Sequence, residues 1–89
     1  MSIKLEVFTS KTCPHCPSAV TVAQKVKEQL GDELDFQHLD VDENIDKVRQ
    51  YQLMSVPTIV IDGKIAFIGA PSEEELLQSI KKRQLLNSQ

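Results

Sequence analysis

The stretch Thr12-Cys13-Pro14-His15-Cys16-Pro17 holds both cysteines of the chain, spaced Cys-x-x-Cys. Upstream, Ile3 to Phe8 reads as an apolar strand; downstream, Ser18 to Leu30 reads as a helix. A strand that runs into Cys-x-x-Cys and then into a helix is a redox layout. The start of a helix presents unpaired N–H groups and a partial positive charge. A thiolate placed there is stabilised, so a cysteine pKa falls. The thiolate is the form that attacks a disulfide. Residues i and i+3 of a helical turn are neighbours at about 5–6 Å, within the roughly 4.4–6.8 Å Cα separation that a disulfide needs. The second sulfur can therefore reach the first without moving the backbone.

Outward from this turn, Ile3, Leu5 and Val7 alternate with Lys4 and Glu6, as in a strand. Pro14 suits an early helical position, where its missing N–H is not needed. Pro17 removes one early helical bond if Cys13 is the cap. Ala19, Val22, Ala23, Val26 and Leu30 form an apolar helix face that stops at Gly31. Leu34 to Val41 predicts a second strand. Asp42, Glu43 and Asn44 offer a helix start, and Ile45, Val48 and Leu53 give that short helix one buried face. Asp40, Asp42 and Glu43 read as a solvated acidic run, not a metal site. Val56 to Ile61 is a strand opened by Pro57, Asp62-Gly63 is a hairpin turn, and Lys64 to Ile68 is the return strand. Ser72-Glu73-Glu74-Glu75 is a capping box, and Leu76, Leu77 and Ile80 line the inner face of the last helix. Leu85 extends that helix, and Asn87-Ser88-Gln89 is expected to fray. The order is βαβαββα. A first β-α-β unit implies parallel strands with a right-handed crossover, to which the hairpin adds an antiparallel pair. The expected fold is α/β: a four-stranded mixed sheet with helices on both faces.

The chain has 89 residues and is expected to form a single domain over 1–89. A chain of this size buries only about 60–65% of its unfolded surface. Apolar residues make up 40% and charged residues 26%, as in an ordinary soluble domain. The formal net charge of −3 argues against a nucleic-acid partner. Lys81-Lys82-Arg83 reads as a solvated helix end, where cations are favoured. Met1 to Glu6 has no signal-peptide apolar core, and no stretch approaches the roughly 20 apolar residues of a membrane span. A cytoplasmic monomer away from membranes is expected. In that compartment two cysteines are more often catalytic or metal-binding than a staple, and a four-residue staple would add little stability.

The combination of Cys13-Pro14-His15-Cys16 after the first strand with Val56-Pro57-Thr58 opening the third resembles the thioredoxin fold in its glutaredoxin-sized form. Phe8-Thr9-Ser10, Cys13 to Pro17, Val56 to Val60 and Phe67 to Pro71 are most similar to the short thioredoxins of archaea. The resemblance runs from Lys4 to about Leu86. It implies a cis peptide before Pro57 that lies against the sulfurs and turns the Val56 backbone toward substrate. It also implies protein-disulfide substrates, a thioredoxin reductase-type electron donor, and no cofactor beyond the Cys13–Cys16 dithiol. Two positions depart from the superfamily pattern. Val7 stands where full-length thioredoxins carry a buried acid. Glutaredoxins carry a Gly-Gly followed by a polar cap and an Asp that hold glutathione's carboxylate; in Gly69-Ala70-Pro71-Ser72-Glu73 here, Ala70 and Pro71 break that pattern, and Pro71 lacks an N–H donor.

Cys13 is the candidate nucleophile and Cys16 the buried resolving thiol, one turn in. The imidazolium form of His15, between them, would stabilise the Cys13 thiolate and make the protein a weaker reductant than a typical thioredoxin; the alternative is a histidine that only faces water. Val56, Pro57 and Pro14 are the candidate substrate contacts. His38 reads as an ordinary strand histidine away from the motif, and Tyr51 and Met54 as core or rim residues near the Pro57 loop. The leading function is reduction of protein disulfides. The alternatives are a glutathione-dependent glutaredoxin and a metal-binding module holding Cu(I) or a cluster through the two thiolates; no metal site is expected.

Overall fold

The computed structural model describes residues 3–87. The elements are β1 (Ile3–Thr9), α1 (Cys16–Leu30), β2 (Leu34–Asp40), α2 (Ile45–Tyr51), β3 (Thr58–Ile61), β4 (Lys64–Ile68) and α3 (Glu73–Asn87), with a 3-10 turn at Gly31–Glu33. This is the βαβαββα order expected, in one sheet of order β2-β1-β3-β4. β1 pairs parallel with β2 and antiparallel with β3, and β3 pairs antiparallel with β4. Among the described residues no helix is long and apolar enough to cross a membrane. Of the three residues expected to fray, Asn87 closes α3, and Ser88 and Gln89 lie outside the described residues.

β1 has a strand on either side and cover on both faces, so every residue from Leu5 to Thr9 is buried. One face carries Ile3, Leu5 and Val7, which join Ile59 and Ile61 of β3, Ala19, Ala23 and Val26 of α1, and Leu76 and Ile80 of α3. Fully burying a side chain of this kind stabilises the fold by about 1.5–3 kcal/mol, so this cluster is the main anchor of the two longer helices. The other face lies under α2. There Glu6, at an alternating charged position that in a half-exposed strand would meet water, is 0% exposed. Lys47 Nζ pairs with its carboxylate at 3.1 Å, and the Tyr51 hydroxyl donates to it at 2.9 Å. Phe8 meets the Tyr51 ring edge to face.

That anchoring corrects the expected buried face of α2. Lys47 and Tyr51 are one turn apart and turn together onto the sheet. Ile45, two residues before Lys47, points about 200° away around the helix, and is 51% exposed. The helix stops at Tyr51, where Gln52 adopts a left-handed φ of 58°, so Leu53 follows the helix instead of belonging to it.

The helix starts also differ in detail. α1 begins at Cys16 with His15 as its N-cap, two residues before the expected Ser18. Pro14 therefore precedes the helix, and Pro17, in the first turn, takes the place where a missing N–H leaves no bond unmade. Cys16 opens the helix and is not a turn inside it. Before α3, Ser72 and Glu75 form the reciprocal capping box: Glu75 N–H donates to Ser72 Oγ, and Ser72 N–H donates to the Glu75 carboxylate, each at 3.1 Å. In the hairpin, Asp62 and Gly63 both have positive φ, 49° and 82°, the conformation that a two-residue turn matched to strand twist demands.

Candidate active site

β1 delivers the chain to Thr9 at one end of the sheet, and a turn returns it to α1. Within that turn Cys13 N–H donates to Ser10 O at 3.4 Å. Cys13 and Cys16 are joined by a disulfide with Cα atoms 5.4 Å apart. Their environments differ. Cys16 is 4% exposed at the first position of α1, whereas Cys13 is half-buried in the turn outside the helix. No acidic residue occupies the first turn of α1. An anion at this helix start therefore has the positive end of the dipole without a competing carboxylate.

His15 and Pro14 are both exposed beside the sulfurs. The His15 side chain makes no capping bond, so its ring projects into water at the helix start. The Val56–Pro57 bond is cis. Val56 and Pro57 precede β3 and are not its first residues, as Thr58 opens the strand. Thr58 is registered with Phe8, which brings Pro57 to the same end of the sheet as the cysteine turn. Pro57 is buried, and its carbonyl accepts from Gly69 N–H at 2.8 Å. Met54, on the loop before it, is 97% exposed, and Ile68, before Gly69, is 72% exposed.

One residue joins the site that its position in the sequence did not suggest. His38 lines a cleft of about 380 Å³ together with Cys13, Cys16 and Thr9, and its Nε2 lies 2.8 Å from Thr9 Oγ1. His38 has the same strand parity as Leu34 and Phe36, which pack into or against the core. It is registered with Val7, two residues before Thr9. That parity was the available signal, but it points to the cysteines only once β2 is known to lie parallel beside β1. Glu6, also buried unexpectedly, does not line this cleft. Its carboxylate lies on the opposite face, toward α2. Burial raises the Tyr51 phenol above its ordinary 10.0, and the hydrogen bond to Glu6 and the charge of Glu6 raise it further.

Comparison with known proteins agrees with this geometry. The family model for the thioredoxin domain matches residues 1–81. A thioredoxin of Methanocaldococcus jannaschii is 47% identical over 81 residues, covering 91% of this chain and 95% of that protein. A probable thioredoxin of Methanothermobacter thermautotrophicus is 45% identical over 80 residues, covering 90% and 94%. Among solved structures, chloroplastic thioredoxin z superposes with a TM-score of 0.83 at 21% identity, covering 94% of this chain and 80% of that one. That likeness speaks for the fold alone. Together with a Cys-x-x-Cys pair already in disulfide geometry, the match over most of the chain means that this protein belongs to the thioredoxin family of protein-disulfide reductases.

Proposed function

We propose that the chain passes two electrons to disulfides of protein substrates, with Cys13 as the attacking sulfur and Cys16 as the sulfur that closes the cycle. The observation that carries this assignment is the unequal exposure of the two cysteines: Cys16 is 4% exposed and Cys13 borders the surface. The Cys13 thiolate attacks one sulfur of the substrate disulfide and forms a mixed disulfide, and the other substrate sulfur leaves as a thiolate. Cys16 then attacks the Cys13 sulfur, the Cys13–substrate bond breaks, and the second substrate sulfur leaves. The product on the protein is the Cys13–Cys16 disulfide, which a dithiol donor of the thioredoxin reductase type reduces again. His15 adds positive charge beside the helix start when protonated. In this reading Pro14, Val56 and Pro57 are the substrate contacts around Cys13, and the Val56 backbone is offered to an extended segment of substrate; the register of Thr58 with Phe8, at the cysteine end of the sheet, supports it.

The test is insulin reduction driven by dithiothreitol, combined with trapping. Cys13→Ser is expected to abolish turnover, and Cys16→Ser to accumulate a mixed disulfide that maps to Cys13. A substrate adduct that maps to Cys16 in the Cys13→Ser protein overturns the assignment.

A further inference from the structure

Resolution of the mixed disulfide requires Cys16 to lose its proton, because the thiolate and not the thiol is the nucleophile. Cys16 is 4% exposed, so bulk water has poor access to that proton. No carboxylate lines the cleft beside it. Val7, registered with His38, is apolar, and the buried Glu6 faces α2, where Lys47 and Tyr51 hold it. The cleft does hold a group able to take a proton. His38 is exposed at its rim, and the partner of its Nε2 is the hydroxyl of Thr9, a residue only 6% exposed. A hydroxyl can accept one proton while donating another, and an imidazole exchanges protons with water near neutral pH.

We propose that the Thr9–His38 pair is the proton exit for Cys16. This rests on Cys13 as nucleophile and Cys16 as resolving thiol. As Cys16 attacks the Cys13 sulfur, its proton passes to Thr9 Oγ1, and the Thr9 hydroxyl proton passes to His38 Nε2. The Cys13–substrate bond breaks, its electron pair leaves on the substrate sulfur, and the imidazolium releases its proton to that thiolate or to solvent. His38 thus acts on Cys16 through Thr9. Other groups set the charge around the ring. Lys11 is the charged side chain lining the cleft. Asp40 has the same parity on β2 and accepts from Asp42 N–H. From α1, the lining side chains beyond Cys16 are the uncharged Pro17, Val20 and Thr21.

The experiment uses the reduced full chain and 5,5′-dithiobis(2-nitrobenzoate) in stopped flow. The first equivalent of released chromophore reports attack by Cys13, and the second reports closure by Cys16. His38→Gln is expected to leave the first phase unchanged and to slow the second by about 100-fold at neutral pH, the scale of a lost general base. In the variant the second phase should accelerate as pH rises and hydroxide replaces the imidazole, and added imidazole should partly restore it in His38→Gly. Thr9→Val should slow the same phase, and Thr9→Ser should recover it. Thermal unfolding of each variant separates a loss of fold from a loss of proton transfer. A second phase unaffected by His38→Gln, or both phases slowed equally with no imidazole rescue, overturns the proposal. If Cys13→Ser instead retains the first phase, the assignment of the two cysteines fails, which is a separate outcome.

Discussion

The buried cluster of Glu6, Lys47 and Tyr51 makes an asymmetric prediction. Glu6 has no solvent exposure, whereas the Lys47 side chain retains 35%. Lys47→Met leaves a carboxylate in the interior with the Tyr51 hydroxyl as its remaining side-chain partner. Breaking a buried pair in this way costs about 3–5 kcal/mol. Because water reaches Lys47, the lower end applies, about 3 kcal/mol. For a domain of this size that is a fall of roughly 12–24 °C in Tm, or about 1–3 M in the urea midpoint. Glu6→Leu leaves Lys47 free to turn toward water and should cost less. The double variant Glu6→Leu/Lys47→Met replaces the pair with apolar groups and should be more stable than Lys47→Met alone, since such replacements are often close to neutral. Urea titration of the wild type, both single variants and the double variant forms the cycle. If Lys47→Met costs under about 1 kcal/mol, or if the two single costs simply add, Glu6 does not depend on Lys47 and the reasoning fails.

Tyr51 gives the same cluster a pH signature. Its phenol is raised above 10.0, first by burial and then by Glu6. Its contribution is therefore complete below pH 10 and is lost as pH rises from there through the folded-state value, because the unfolded chain releases the proton first. Unfolding followed against pH should show this alkaline loss in the wild type and a flatter limb in Tyr51→Phe. Ser72→Ala should cost about 1 kcal/mol by removing the cap of α3, visible as a Tm drop of roughly 4–8 °C, and Ser72→Asp should restore most of it. With glutathione as sole reductant and a small mixed-disulfide substrate, turnover should be poor. Pro71 offers no N–H where glutaredoxins bind glutathione, and robust activity would refute that expectation. His15→Gln should lower the reduction potential by less than about 30 mV, since the ring is exposed at the helix start and screened. Equilibration against a dithiol buffer measures it, and no change at all would make His15 a bystander.

Much of the fold was legible because the relevant physics is local. The Asp62-Gly63 turn requires two positive φ values whatever surrounds it, and the Ser72–Glu75 box closes over three residues. The Cys13–Cys16 pair lies three residues apart in the tight turn that enters α1, so its bonding distance is set locally. Even the start of α1 missed by only two residues, because Pro17 in the first turn lacks an N–H that no helical bond there needs.

What the chain order left undecided depends on cover and register. The alternation of β1 marked Glu6 as the residue opposite Leu5 and Val7, but only the packing of α2 over that face made it buried and tied it to residues 41 and 45 positions away. The exposure of Ile45 follows from the same docking. His38 stands 22 residues beyond Cys16, on a strand whose parallel register with β1 no local signal sets; that register places it against Thr9, in the cleft that Cys13 and Cys16 line. The sequence by itself determined the elements, their turns and the redox pair, because those are decided within a few residues. Tertiary structure alone decided which charged and titratable groups surround that pair, because sheet register and helix cover bring together residues that no short-range rule connects.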